Sequence, residues 1–105
     1  MERNVAARQS EVNIVNVPQI TSIENALKIF YTHSELGNKE IVQLFGKLSS
    51  ATIVRLKRAV KDEMAKRDMF SYGANKVNTS VAFDVWGLDV SDLEVRMKKL
   101  KELNL

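Results

Sequence analysis

The stretch that decides the fold is Asn38-Lys39-Glu40-Ile41-Val42-Gln43-Leu44-Phe45-Gly46-Lys47-Leu48-Ser49-Ser50-Ala51-Thr52-Ile53-Val54-Arg55-Leu56-Lys57-Arg58. Asn38 is an N-cap residue type, Ile41, Val42, Leu44 and Phe45 are the apolar positions of a short helix, and Gly46 breaks it. Ser49 or Ser50 caps the next helix, which runs through good helix formers to Lys66 and Arg67 with no Gly or Pro inside. A short helix and the longest helix of the chain are thus joined by a glycine turn.

At about 100° per residue, Ile53, Leu56, Val60 and Met64 cluster on one side of the long helix. Ala51, Val54, Arg55, Arg58 and Asp62 point roughly the other way, with Ser50 and Lys61 nearer the margin. That outer face is small at its N-terminal end and basic in the middle, which is what entry into a major groove requires. Small residues near the helix start avoid a clash, arginines pair bidentately with guanine, and Val54 can touch a thymine methyl. Lys47, in the turn, suits a phosphate better than a base. The competing reading of Arg55 and Arg58 is a solvated helix face, and of Val54 a surface valine or a second core contact. Asp62 and Glu63 would repel phosphate, so the contact surface is expected to end near Lys61.

Charge is distributed to match. Lys39 to Arg67 holds eight basic and three acidic residues, whereas the rest of the 105-residue chain holds eight basic and ten acidic, so the formal net charge of +3 conceals one basic segment.

Outward from that segment, residues 1–11 are polar and aperiodic and read as an N-terminal arm, with residues 12–105 forming one domain. Val12, Ile14, Val15 and Val17, ended by Pro18, suggest a short extended segment or edge strand. Thr21-Ser22-Ile23-Glu24 has the form of a capping box with Thr21 as the cap; Ile23, Ala26, Leu27, Phe30 and Tyr31 then follow on one face, and Gly37 supplies the stop. On the other side, Phe70, Tyr72 and Val77 flank Gly73-Ala74-Asn75, so 69–78 reads as a small hairpin. Asn78 or Thr79 caps a short helix carrying Val81, Ala82, Val85 and Trp86 and ending at Gly87. Ser91-Asp92-Leu93-Glu94 is a second capping box, leading a last helix with Val90, Leu93, Met97 and Leu100 at near-heptad spacing.

The stretch from Asn38 to Arg58 resembles the helix-turn-helix family of DNA-binding proteins. Gly46 stands where that family has its turn glycine, Val42 at the usually small residue four before it, and Ile53 and Leu56 match the buried positions of the recognition helix. The resemblance covers about twenty residues and implies a short helix packed across a sharp turn on a second helix that enters the major groove. Two departures are visible: Val42 replaces the commoner alanine, and Gly46 to Ile53 is one residue longer than the tightest form of the turn. Winged relatives place a hairpin where 69–78 falls, and there Lys76, with Asn75, would reach an adjacent groove or phosphate. The alternative is a connecting loop packed by Phe70 and Tyr72. The run through Lys76-Val77-Asn78 to Val85-Trp86 also looks like small excisionase and phage-type regulators.

The inventory excludes much chemistry. There is no cysteine, His33 is the single histidine, and the four glycines are isolated, so a thiolate site, a multi-histidine metal site, a catalytic triad and a phosphate-cradling glycine loop cannot be assembled. Asp84, Asp89, Asp92 and Glu94 are better explained by capping and solvation than by acid-base chemistry, and Phe83 and Trp86 by the core than by base stacking. No run approaches the length of a membrane span. The expectation is a mainly α, helix-turn-helix, cytoplasmic protein that is not an enzyme and has no catalytic residue, metal or cofactor. It would bind double-stranded DNA as a transcriptional or recombination regulator of a mobile element. Ser50, Ala51, Val54, Arg55 and Arg58 would lie at the groove, with Lys39, Lys47, Lys61 and Lys76 on the backbone. Val90, Leu93, Met97 and Leu100 offer a seam for a homodimer, or pack on the chain's own core. The alternative function is a protein-interaction or assembly module, such as a phage-type adaptor or packaging subunit, that uses the last helix.

Overall fold

A computed structural model describes residues 17–71, 73 and 75–103. The arm expected over 1–11 lies outside them, as does nearly all of the strand expected over 12–17; Val17 and Pro18, which are described, carry no strand. In chain order the elements are α1 (Ile23–Thr32), β1 (Glu35–Leu36), α2 (Asn38–Phe45), α3 (Ser50–Lys66), β2 (Val77–Asn78), α4 (Thr79–Val85) and α5 (Val90–Leu103). The protein is mainly helical, with one two-stranded antiparallel sheet that pairs Glu35 with Asn78 and Leu36 with Val77.

Every helix but α2 starts where a side chain accepts from one of its opening N–H groups. Ser22, not Thr21, caps α1 by accepting from the Asn25 N–H at 3.1 Å. Thr21 is used elsewhere: its N–H donates to the Leu44 carbonyl at 2.9 Å and its hydroxyl to the same carbonyl at 3.3 Å, while the Asn25 amide donates to Gln43 at 2.6 Å. The start of α1 therefore caps the end of α2, whose last carbonyls have no partner within their own helix. Gly37 rather than Asn38 precedes α2, with its N–H donating to Glu40 Oε1 at 2.8 Å. Ser49 caps α3 and Asn78 caps α4. Asp89, not Ser91, begins α5 by accepting from the Asp92 N–H at 3.2 Å. At Gly46 the backbone turns out of α2 with φ 89°, a left-handed value that a side chain would strain.

The core forms around the inner stripe of α3, where Leu56, Val60 and Met64 are buried with Leu36, Ile41, Leu44, Val77, Val81, Phe83 and Trp86. Helix α4 lies against α3, and α1 lies against α2 and α5. Two rings lock the α3–α4 contact: the Trp86 indole donates to the Leu56 carbonyl at 3.1 Å, and Phe45 meets Trp86 edge-on with centroids 5.5 Å apart.

Three expectations change. Of residues 69–78 the described ones supply only β2, which pairs with β1 rather than with a strand of its own segment; Leu36 and Val77 are both fully buried, while Phe70 stands 86% exposed. The short first helix of the pair is also held to α1, by Thr21 and Asn25 at its C-terminus, and Val42 is left 38% exposed. In α5, Leu93 is buried and Val90 packs on the core, so half of the expected seam is already covered; Met97 is half-buried, and Leu100 is exposed.

Replacing Trp86 tests this arrangement. Trp86→Ala is expected to cost about 3–5 kcal/mol through the emptied volume. Trp86→Phe, which keeps a ring but loses the donor, should cost nearer 1 kcal/mol. Urea unfolding followed by circular dichroism measures both.

Candidate nucleic-acid interface

Burial of Leu56, Val60 and Met64 turns the opposite side of α3 to solvent, and Ser50, Ala51, Val54, Arg55, Arg58 and Lys61 are all exposed there. The cap sets the first of the cations. Ser49 Oγ accepts from the Thr52 N–H at 3.1 Å and lies 2.9 Å from Thr52 Oγ1, which in turn accepts from Arg55 Nη2 at 3.3 Å. Arg55 is thus drawn along the helix toward its N-terminal end, where Ser50 and Ala51 leave space. Lys47, in the turn between α2 and α3, is also exposed.

Among the described residues the arginines fall into two groups. Arg67 pairs with Glu63 at 2.8 Å and with Asp84 at 3.4 Å, and Arg96 pairs with Asp92 at 2.8 Å. The hydrogen bond that Arg67 donates to Glu63 holds its guanidinium above its ordinary pKa, with the one donated to Asp84 adding to it. Arg55 and Arg58 make no ion pair among the described residues, nor do Lys39, Lys47, Lys61 and Lys76.

Lys39 and Lys76 are not on that side. They line a cavity of about 380 Å³ at the start of α2, together with Gly37, Asn38, Glu40, Lys57 and Asn75. Lys76 also borders a more apolar groove of about 350 Å³ with Lys61, Met64, Met69 and Phe70, so the two groups of cations adjoin. Sequence reasoning passed over Lys57. Its side chain is only 9% exposed and donates to Asn38 Oδ1 at 2.9 Å, and burial, with the neighbouring charge of Lys61, lowers its pKa. The available signal was its place beside Leu56 and three residues before Val60, on the flank of the buried stripe, where a lysine stem packs and its head reaches past.

The acidic residues are engaged in structural roles. Asp84 faces Arg67, Asp89 caps α5, Asp92 faces Arg96, and Glu94 accepts a short hydrogen bond from the Tyr31 hydroxyl. His33 Nε2 stands 3.8 Å from Glu40 Oε2. Among the described residues no three His, Asp or Glu side chains gather as a metal site, and no helix is long and apolar enough to cross a membrane. Compared with known proteins, the chain matches no family model, no curated protein and no solved structure.

Glu40 gives the region a titratable element. Burial pushes its carboxyl up, but the N–H groups of Gly37 and of Glu40 itself, with the charges of His33 and Lys76, outweigh burial and leave it below the ordinary value of 4.5. A carboxyl depressed by folding stabilises the protein above its unfolded-state pKa and loses that contribution as pH falls through the folded value. At neutral pH, Glu40→Ala is expected to cost about 1 kcal/mol, a typical capping contribution. The gap between variant and parent should narrow below the ordinary carboxylate range, as read from thermal unfolding at neutral pH and in acid.

Proposed function

We propose that this protein binds double-stranded DNA in a sequence-selective manner, with α2, the Gly46 turn and α3 acting as a helix-turn-helix and α3 entering the major groove. The observation that carries the reading is the unpaired state of Arg55 and Arg58 on an exposed helix face, in a protein whose Arg67 and Arg96 are both matched by carboxylates. Exposed cations held apart from anions suit an anionic partner, and Ser50 and Ala51 at the helix start leave room for close approach. Arg55 and Arg58 contact base edges, Val54 a thymine methyl, and Lys47 and Lys61 the phosphate backbone. A DNA-binding regulator of transcription or recombination is the role that follows.

A second reading, an interaction module, is favoured by one feature: α5 leaves Val95, Leu100 and Leu103 exposed, the last at 80%. A contact surface on α5 would use these residues rather than Val90 and Leu93, which the protein's own core takes up.

Selection from a random duplex pool, followed by salt titration, separates the two. The DNA reading expects enrichment of a defined sequence and an affinity that falls steeply with salt. Arg55→Ala should relax the preference at one position, at a cost of about 1–3 kcal/mol. Lys47→Ala should weaken all duplexes alike and lower the salt slope by about one. No enrichment and no salt dependence would sink the DNA reading and leave the α5 surface as the functional one.

A further inference from the structure

The cavity at the start of α2 has features that the exposed side of α3 lacks. Its wall includes Lys57, a residue only 9% exposed, whose ammonium makes its one hydrogen bond to a neutral amide, Asn38 Oδ1, at 2.9 Å. Lys57 makes no ion pair among the described residues. Lys39 and Lys76 stand beside it, so three ammonium groups share the lining with a single carboxylate, Glu40. That carboxylate is already engaged, with Oε1 accepting from the Gly37 N–H at 2.8 Å and Oε2 facing His33 at 3.8 Å. Partial burial, with the neighbouring charge of Lys61, lowers the pKa of Lys57, the direction expected of a cation that no anion faces.

The opposite wall is held in place by the fold. Glu35, just before Gly37, accepts from Ser71 Oγ and from the Gly73 N–H, each at 2.9 Å, and the Lys76 N–H closes a turn on the Gly73 carbonyl at 3.2 Å. The pairing of Leu36 with Val77 then sets Asn75 and Lys76 over the first turn of α2. A Cβ at Gly73 would lie 2.7 Å from Lys76 Cδ and 3.2 Å from Glu35 Oε1, so a side chain there would displace that of Lys76. The Glu40 carboxylate already takes the N–H groups of Gly37 and of Glu40 itself, so the start of α2 adds the N–H groups of Asn38 and Lys39 to the three ammonium groups.

We propose that this cavity is an oxyanion site that takes a phosphate group, bound by Lys57 and Lys76, with Lys39 at the rim and the opening N–H groups of α2 beneath. At about 380 Å³ it has room for one such group and its remaining hydration. The phosphate comes either from the backbone of a duplex lying along α3 or from a free phosphate-bearing solute. The site itself does not depend on the DNA reading.

The test uses the full chain labelled with nitrogen-15 and titrated with inorganic phosphate against sodium chloride at matched ionic strength. Saturable amide shifts confined to Gly37–Glu40 and Asn75–Lys76 are expected. Lys57→Met should weaken the phosphate response about tenfold or more, the scale of one charge-assisted hydrogen bond. Lys28→Met, exposed on α1 and outside the cavity, should leave it unchanged. Lys76→Ala, at an exposed position, serves if the Lys57 variant does not fold, and should weaken the response in the same direction. Identical responses to phosphate and chloride, or a phosphate response indifferent to both variants, would overturn the proposal. A second arm measures duplex binding by the same variants. Loss of duplex affinity alongside phosphate affinity assigns the site to the DNA backbone, and loss of phosphate affinity alone assigns it to a solute. Duplex binding without any phosphate response removes the cavity site and keeps the DNA reading, whereas a phosphate response without duplex binding does the reverse.

Discussion

The arrangement depends on how α3 is gripped from its inner side. Leu56, Val60 and Met64 bury a stripe that leaves the helix one way to face, and the Trp86 indole reaches 3.1 Å to the Leu56 carbonyl in the middle of that stripe. A directional bond in a buried, low-dielectric setting specifies orientation more sharply than apolar packing, which tolerates small rotations. Phe45 against Trp86 extends the grip to the end of α2. Every cation exposed on the far side of α3 is exposed because of contacts made on the near side.

The electrostatic pattern follows from that geometry rather than from net charge. A surplus of three over the whole chain is small. Within the basic segment Glu63, with Asp84 of α4, gathers at Arg67, whereas Arg55 and Arg58 make no ion pair among the described residues. Surface ion pairs of this kind contribute little to stability.

Helices were legible because their signals are local. The inner stripe of α3, the stop at Gly46 and the cap at Asn78 all follow from spacing and side-chain chemistry over a few residues. Caps that compete with a neighbouring candidate were less legible. Thr21 and Ser22 are equally good caps in isolation, and only the carbonyls of Gln43 and Leu44, more than twenty residues away, draw Thr21 out of the role. The strand partner of Val77 is Leu36, across a separation that periodicity does not report, and for that reason 69–78 reads as a hairpin when taken alone. In the same way, the outer face of α3 could be read from helical geometry, whereas the meeting of Lys39, Lys57 and Lys76 requires the β1–β2 pairing that brings them together.

That pairing also bears on how the chain acquires its shape. The contact of Leu36 with Val77 closes a long loop containing α2 and α3, so both helices can form from near-neighbour contacts well before their mutual arrangement is locked. On the ribosome, where the chain emerges from its N-terminal end, the apolar stripe of α3 is made before Val77, Val81 and Trp86 exist to cover it. The helix best suited to meet another molecule is thus, for a short interval of synthesis, also the segment most open to unwanted association.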